Sequence, residues 1–230
     1  MKSKFKYFID QRSIRMFFLG FSAGLPLLLV FSTLSVWLTK ADIERSTITL
    51  FSWVGFAYSF KFLWTPIVDH FKLPFSDNFG HRKSWLFFSQ IMIIFSLILA
   101  SFSDPNLSLF FMVISFILIA FSSATQDIVI DAFRIESVSQ KLQGALSSMY
   151  LAGYRIAMIV SGAGSLWIVS IQSGETYLLD SWQFVYRIMA LFMIIGIVTT
   201  ILSKEPNIKR KITGTITVSY THLTLPTIVS

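Results

Sequence analysis

The sequence predicts an all-α membrane protein built around six transmembrane helices. Three observations predict it. The 230 residues are 54% hydrophobic and only 13% charged, with a mean hydropathy of +0.67, which is outside the range of a soluble domain. Apolar runs of about twenty residues recur along the chain, each long enough to cross a hydrocarbon core as a helix. Lys and Arg crowd into alternate connections, as they do in proteins that cross a bilayer repeatedly. The net charge of +7 sits on the flanks of these runs and forms no separate basic region. The implied partner is therefore the lipid bilayer and not nucleic acid. With no cysteine, disulfides and Cys-based metal sites are excluded.

Lys2, Lys4, Lys6 and Arg12 precede the first run, roughly Ile14 to Leu38. That run is too long for a signal-peptide core and lacks a small-residue cleavage site, so it reads as a spanning helix. Gly20 and Gly24 are spaced for close helix contact, and Pro26 follows. Either they serve packing around a proline kink, or they make a bendable wall of a cavity. Lys40 to Arg45 is a short polar loop. The second run, roughly Thr47 to Val68, holds Lys61, which can either snorkel toward Asp69 or enter a polar site. Asp69 to Ser84 is a long connection carrying Lys72 and Gly80-His81-Arg82-Lys83.

The third run extends roughly from Trp85 to Phe102 and ends at the turn Asp104-Pro105-Asn106. The fourth runs from Leu107 to about Ile130. It ends in Ser122-Ser123-Ala124-Thr125-Gln126-Asp127-Ile128-Val129-Ile130-Asp131. Asp127 and Asp131 lie four apart, on one helix face. An ionised Asp at mid-bilayer costs roughly 3 kcal/mol on insertion scales, so such a residue is either used or paired. Asp131 to Gln143 reads as an interfacial helix. The fifth run, roughly Gly144 to Val169, contains Tyr150, Tyr154, Arg155 and the small-residue segment Ser161 to Gly164. Arg155 falls near mid-membrane and calls for a cavity or a carboxylate partner; a solute or coupling role and a buried ion pair both remain open. After a polar loop, Ile171 to Trp182, the sixth run covers roughly Gln183 to Leu202. Arg187 near its start can snorkel outward.

Basic residues mark the N-terminus, the connections after runs two and four, and the segment after run six as cytoplasmic. The alternate connections carry only Lys40 and Arg45. Residues 1–212 thus form a six-helix unit. Residues 213–230 are Thr-rich, with neither helix period nor charge beyond His222. Val218 to Ile228 resembles a translated sequencing-adapter read-through, and the tail is expected to be foreign.

The residues exclude several chemistries. No Gly-rich Lys-Ser/Thr phosphate loop is present, so the chain holds no ATP engine. His70, His81 and His222 fall in connections or the tail, which argues against a His-based metal site. Asp127 and Asp131 share one helix, whereas intramembrane aspartyl proteolysis needs two. No enzyme, cofactor or metal is expected. Ionisable groups inside a helical bundle leave secondary transport, with a small-molecule solute and protons as partners.

Several segments, in order, resemble the AmpG muropeptide permeases, a branch of the major facilitator superfamily. They are Gly20-Phe21-Ser22-Ala23-Gly24-Leu25-Pro26, Phe60-Lys61-Phe62-Leu63-Trp64-Thr65-Pro66 with Asp69, Ala124-Thr125-Gln126-Asp127-Ile128-Val129 with Asp131, and Gly153-Tyr154-Arg155 with Ser161-Gly162. The resemblance implies an N-terminal half made of two three-helix repeats, with a second six-helix half missing. It implies proton-driven import of anhydromuropeptides from periplasm to cytoplasm across a bacterial inner membrane. Asp127 and Asp131 are the proton-coupling candidates. Arg155, Lys61, Gln126, Tyr150 and Tyr154 are the solute-binding candidates. The superfamily's cytoplasmic motif maps onto Asp69, Arg82 and Lys83, with Asp131 or Glu136 as the acidic latch partner, although about eight extra residues separate its two parts. Two other readings stand beside this one: a transporter of acetyl-coenzyme A or another anionic metabolite, and a six-helix membrane subunit that acts by interaction alone.

Overall fold

A computed structural model describes residues 8–138, 140–174 and 176–206, with the backbone alone at 140 and 141. The expected foreign tail, 213–230, lies outside the described residues. All regular structure among those described is helical. Five helices are long and apolar enough to cross a membrane. They are α1 (Gln11–Lys40), α6 (His81–Ala100), α7 (Leu109–Ser137), α8 (Leu142–Ser173) and α9 (Leu179–Leu202). Between α1 and α6 lie four short pieces: α2 (Arg45–Phe51), α3 (Phe56–Ser59), α4 (Thr65–His70) and α5 (Ser76–Phe79).

The expected second span is therefore not one continuous α-helix. Tight 3₁₀ turns at Ser52–Gly55 and Lys61–Leu63 interrupt it. Pro66 begins α4; it donates no N–H and disfavours helix at the residue before it. The Thr65 hydroxyl bonds the Lys61 carbonyl at 3.0 Å. Trp64 fastens the segment to α7 by donating to Thr125 Oγ1 at 3.2 Å and lying on the Phe121 ring at 4.6 Å. The segment Asp131 to Gln143 also differs from expectation. The spanning helix α7 runs on through Ser137 before the chain turns extended at Val138.

Two helices widen where they meet. Pro26 removes a donor from α1, and a π turn follows at Leu29–Thr33. A second π turn lies at Val160–Gly164 in α8. Such turns disturb the carbonyl ladder, and side chains take up carbonyls there: Thr33 Oγ1 donates to the Ser161 carbonyl at 2.9 Å and the Tyr186 hydroxyl to that of Leu29 at 3.0 Å. Trp182 stacks on Trp37 with rings 5.9 Å apart and 2° from parallel.

Glycines bring α1 and α8 into backbone contact. A Cβ at Gly20 would land on the Tyr150 carbonyl, one at Gly24 on that of Tyr154, and one at Gly153 on that of Phe17. Small residues permit such an approach in a bilayer, where association rests on packing.

The buried side chains fall into two apolar clusters. One gathers Leu25 to Leu38 of α1 with Ile93, Phe116, Trp182 and Met189. The other gathers Met16, Leu19, Trp85, Leu86, Val129, Ile130 and Leu146. Between them along α1, α6 and α7 lie the buried polar residues Ser22, Gln90, Ser122, Ser123, Thr125 and Gln126. Phe95, Phe110, Ile117, Leu191 and Ile201 are exposed, as suits surfaces that face hydrocarbon.

Gly153→Ala is expected to force α1 and α8 apart and to cost about 1–3 kcal/mol, as overpacking does. Gly144→Ala, where a Cβ meets nothing, is expected to be neutral or slightly stabilising. Thermal unfolding in detergent checks the contrast; equal melting temperatures for the two variants would remove the close contact as a source of stability.

Candidate functional site

The centre of the site is the last third of α7. Its helical spacing puts Ser123, Asp127 and Asp131 along one face. Asp127 is half-buried, and its Oδ1 is sealed from solvent without a hydrogen-bond partner. Lys61 and Asp131 are the charged groups that act on it. Its charge in turn reaches Tyr58 on α3 and Tyr150 and Tyr154 on α8. The interrupted 45–70 segment thus delivers Tyr58 and Lys61 to the same carboxyl that α8 reaches with two tyrosines. The Tyr150 and Tyr154 rings lie 5.9 Å apart, and the glycine contact with α1 fixes the backbone beneath both.

Asp131 is differently placed. It accepts from Arg134 Nη2 at 3.0 Å, one turn on, while Arg134 Nη1 donates to Ser147 Oγ at 3.0 Å. The Arg134 guanidinium lies over the Tyr150 ring, 5.7 Å from its centroid. Asp131 therefore has a local cation, whereas Asp127 has none in bonding distance.

Gln126 turns inward. It is fully buried, and Nε2 donates to Ser22 Oγ at 2.9 Å while Oε1 stays unpaired. In the same polar layer Thr200 Oγ1 donates to Gln90 Oε1 at 2.9 Å, and Gln90 Nε2 is unpaired. The structure thus places the Gln126 amide between α1 and α7, with no face open to a solute.

Arg155 lies on the exposed side of α8. Its one described contact is Nη1 to Met158 Sδ at 3.7 Å. Among the described residues no carboxylate pairs with it, so the buried ion pair left open by the sequence does not form here. Its charge does reach Tyr154, which ties it to the edge of the Asp127 cluster.

At the C-terminal end of α7, where Glu136 stands nine residues beyond Asp127, Arg82 joins three elements. It donates from Nη1 to Asp69 Oδ1 at 2.6 Å, from Nη2 to Glu136 Oε1 at 2.7 Å and from Nε to Glu136 Oε2 at 3.0 Å. The guanidinium is 7% exposed, so this fork is held largely out of water. Lys83 does not join the acids. It donates to the Ile201 carbonyl at 3.2 Å and lies over the Phe79 ring.

Sequence reasoning missed Glu205. Its two carboxylate oxygens accept the backbone N–H groups of Arg82 and Lys83 at 2.8 and 3.0 Å, capping the orphan donors of the first turn of α6. Gly80, with φ at +98°, makes the entry to that helix. Nothing in spacing links position 205 to position 82. Tyr58 and Ser123 were also missed, although Ser123 sits one turn before Asp127. A cavity of about 520 Å³ opens beside Arg12, Arg15, Ser137, Lys204 and Glu205; none of the residues expected to meet a solute lines it.

Comparison with known proteins gives a consistent family. Residues 16–217 match the Major Facilitator Superfamily. The putative transporter AmpG 4 of Rickettsia conorii is 36% identical over 206 residues, which are 90% of this chain and 48% of that protein. The anhydromuropeptide permease of Escherichia coli K12 is 39% identical over 201 residues, 87% of this chain and 39% of that protein. A Haemophilus influenzae protein is 37% identical over 192 residues, 83% of this chain and 43% of that protein. The chain spans about half the length, or less, of these curated relatives. The apolar helices, the family match and these relatives together show a multi-pass membrane protein that belongs to the Major Facilitator Superfamily.

Proposed function

We propose that this chain is the N-terminal six-helix half of a proton-coupled importer of anhydromuropeptides in a bacterial inner membrane. The observation that carries the reading is the Asp127 cluster. It sets a carboxyl with one oxygen sealed from solvent in the electrostatic reach of a lysine and three tyrosines inside an apolar bundle, in a chain 39% identical over 201 residues to an anhydromuropeptide permease. A carboxyl so placed is costly to keep charged and gains from taking up and releasing a proton. Asp127 is the coupling group, and Asp131, held by Arg134, assists it. The solute carries peptide carboxylates and sugar hydroxyls. Arg155 and Lys61 meet the carboxylates; Tyr150 and Tyr154 meet the hydroxyls and amides.

In this reading the segment from Arg45 to His70 is the second of six crossings, its 3₁₀ turns making it a wall that can yield. A further helical unit covers the open side of α8, so that Arg155 faces a cavity and not lipid. The distribution of basic residues puts the N-terminus in the cytoplasm. Asp69, Arg82 and Glu136 are then a cytoplasmic latch joining α4, α6 and α7, steadied by Glu205 and Lys83.

Three outcomes are expected. In a permease-deficient strain carrying the complete gene, Asp127→Asn at equal abundance brings uptake of labelled anhydromuropeptide down to the level of cells without the permease; normal uptake would remove Asp127 from coupling. Arg155→Gln raises the solute KM on the order of 10- to 100-fold, the loss of one charge-assisted hydrogen bond. A melting-temperature rise with acetyl-coenzyme A and none with anhydromuropeptide would overturn the solute assignment. Arg82→Gln lowers stability by about 2–3 kcal/mol: breaking a buried pair costs more, but Asp69 is 37% exposed and partly screened. Thermal unfolding reads it, and Lys83→Gln is expected to cost less.

A further inference from the structure

Three polar atoms beside α7 are sealed from solvent and short of hydrogen bonds. The Tyr58 hydroxyl, Ser123 Oγ and Asp127 Oδ1 are each sealed from solvent and form no hydrogen bond of good geometry. Ser123 and Asp127 lie one turn apart on the same helix face. The Tyr58 hydroxyl comes from α3 into weak hydrogen-bonding reach of the Ser123 hydroxyl, which leaves both with capacity to spare, and into the field of Asp127. Nearly all buried polar atoms in native proteins are hydrogen-bonded, so one orphan calls for an explanation and three together call for an occupant.

The donor set chooses among occupants. Two hydroxyls can each donate or accept, and the carboxylate oxygen accepts. A single water, which takes two to four partners in a buried site, satisfies all three. A metal cation would also find three oxygens, but Lys61 already brings a tethered positive charge to Asp127, and a second cation there would be repelled. We propose that Tyr58, Ser123 and Asp127 hold one buried water molecule, which makes Tyr58 and Ser123 positioning residues for the Asp127 carboxyl. The water ties α7 to the interrupted segment. The other groups facing Asp127 are Asp131 on its own helix and Tyr150 and Tyr154 on α8; Arg134 and Arg155 act on those tyrosines. This deepens the proposed proton coupling, and only its consequence for uptake rests on that reading.

The test is an experimental structure of the full-length protein at about 2 Å, where ordered water is visible, for the wild type and for Ser123→Ala. The expected result is one density peak within about 2.6–3.2 Å of all three oxygens in the wild type, displaced or lost in the variant. An empty site, or direct hydrogen bonds that satisfy all three groups without a water, would overturn the proposal. So would a peak with anomalous signal after sodium is exchanged for thallium(I), which would make the occupant a cation. Should Ser123→Ala not fold, Ser123→Thr keeps the hydroxyl and is expected to keep the peak; its loss there counts against the site. A second readout is the pH profile of uptake. Tyr58→Phe is expected to move its midpoint while leaving the solute KM in place, and an unmoved midpoint removes Tyr58 as a positioning residue. If Asp127→Asn transports normally, the coupling reading fails while the density still decides the water.

Discussion

A carboxyl in the middle of an apolar helix constrains everything around it. Asp127 cannot face hydrocarbon without a cost of roughly 3 kcal/mol or more, so the protein must enclose it. The bundle does this with a polar layer between two apolar clusters. Ser22, Gln90, Thr200 and Gln126 lie inside the bundle, and Tyr58, Lys61, Tyr150 and Tyr154 stand within the electrostatic reach of Asp127 on the outer side of α7. The layer needs elements from both sides of the sequence, which is why α8 must approach α1 so closely. Without the glycine contacts at Gly20, Gly24 and Gly153, the tyrosines of α8 would stand further from Asp127.

The same constraint explains the irregular helices. A straight, fully bonded helix offers lipid or protein no free backbone group. At the π turns of α1 and α8 and at the 3₁₀ turn Lys61–Leu63, side chains take up backbone carbonyls. Thr33, Tyr186 and Thr65 each donate to a carbonyl at such a turn. Irregular backbone at membrane depth is tolerated where it is buried or lines a cavity. The π turns lie in the apolar cluster around Trp37, and the 3₁₀ turn at Lys61–Leu63 lies against α7.

The long helices were legible because hydropathy and length suffice for them. The contact of Gly20 and Gly24 was legible as well, since small residues four apart have few other uses in a spanning helix. Pro66 was visible in the sequence, yet an apolar run from Thr47 to Val68 outweighed it, and hydropathy does not tell one helix from several short turns. The pairing of Arg82 with Asp69 and Glu136 was reached through family likeness; spacing alone does not connect residues 13 and 54 apart. Glu205 was invisible for the same reason, because a cap supplied from the far end of the chain leaves no local pattern. Gln126 shows the opposite failure. Its neighbour Asp127 drew it into the site, but adjacent helix positions point about 100° apart, and its amide bonds Ser22.

Arg155 decides how the open side of α8 should be read. An arginine near the middle of a spanning helix is as costly against lipid as Asp127, yet its one described hydrogen bond is to a methionine sulfur. It cannot escape by snorkelling in either direction without crossing about two turns of helix. A face that carries it, with Tyr154 behind and Lys61 on the neighbouring segment, is therefore poorly suited to hydrocarbon. It is well suited to a wet interface with another helical unit. The apolar outer faces of α6 and α9, lined by Phe95, Leu191 and Ile201, are the surfaces that lipid can cover. Charge and exposure together thus set the apolar outer faces of α6 and α9 apart from the face of α8 that carries Arg155.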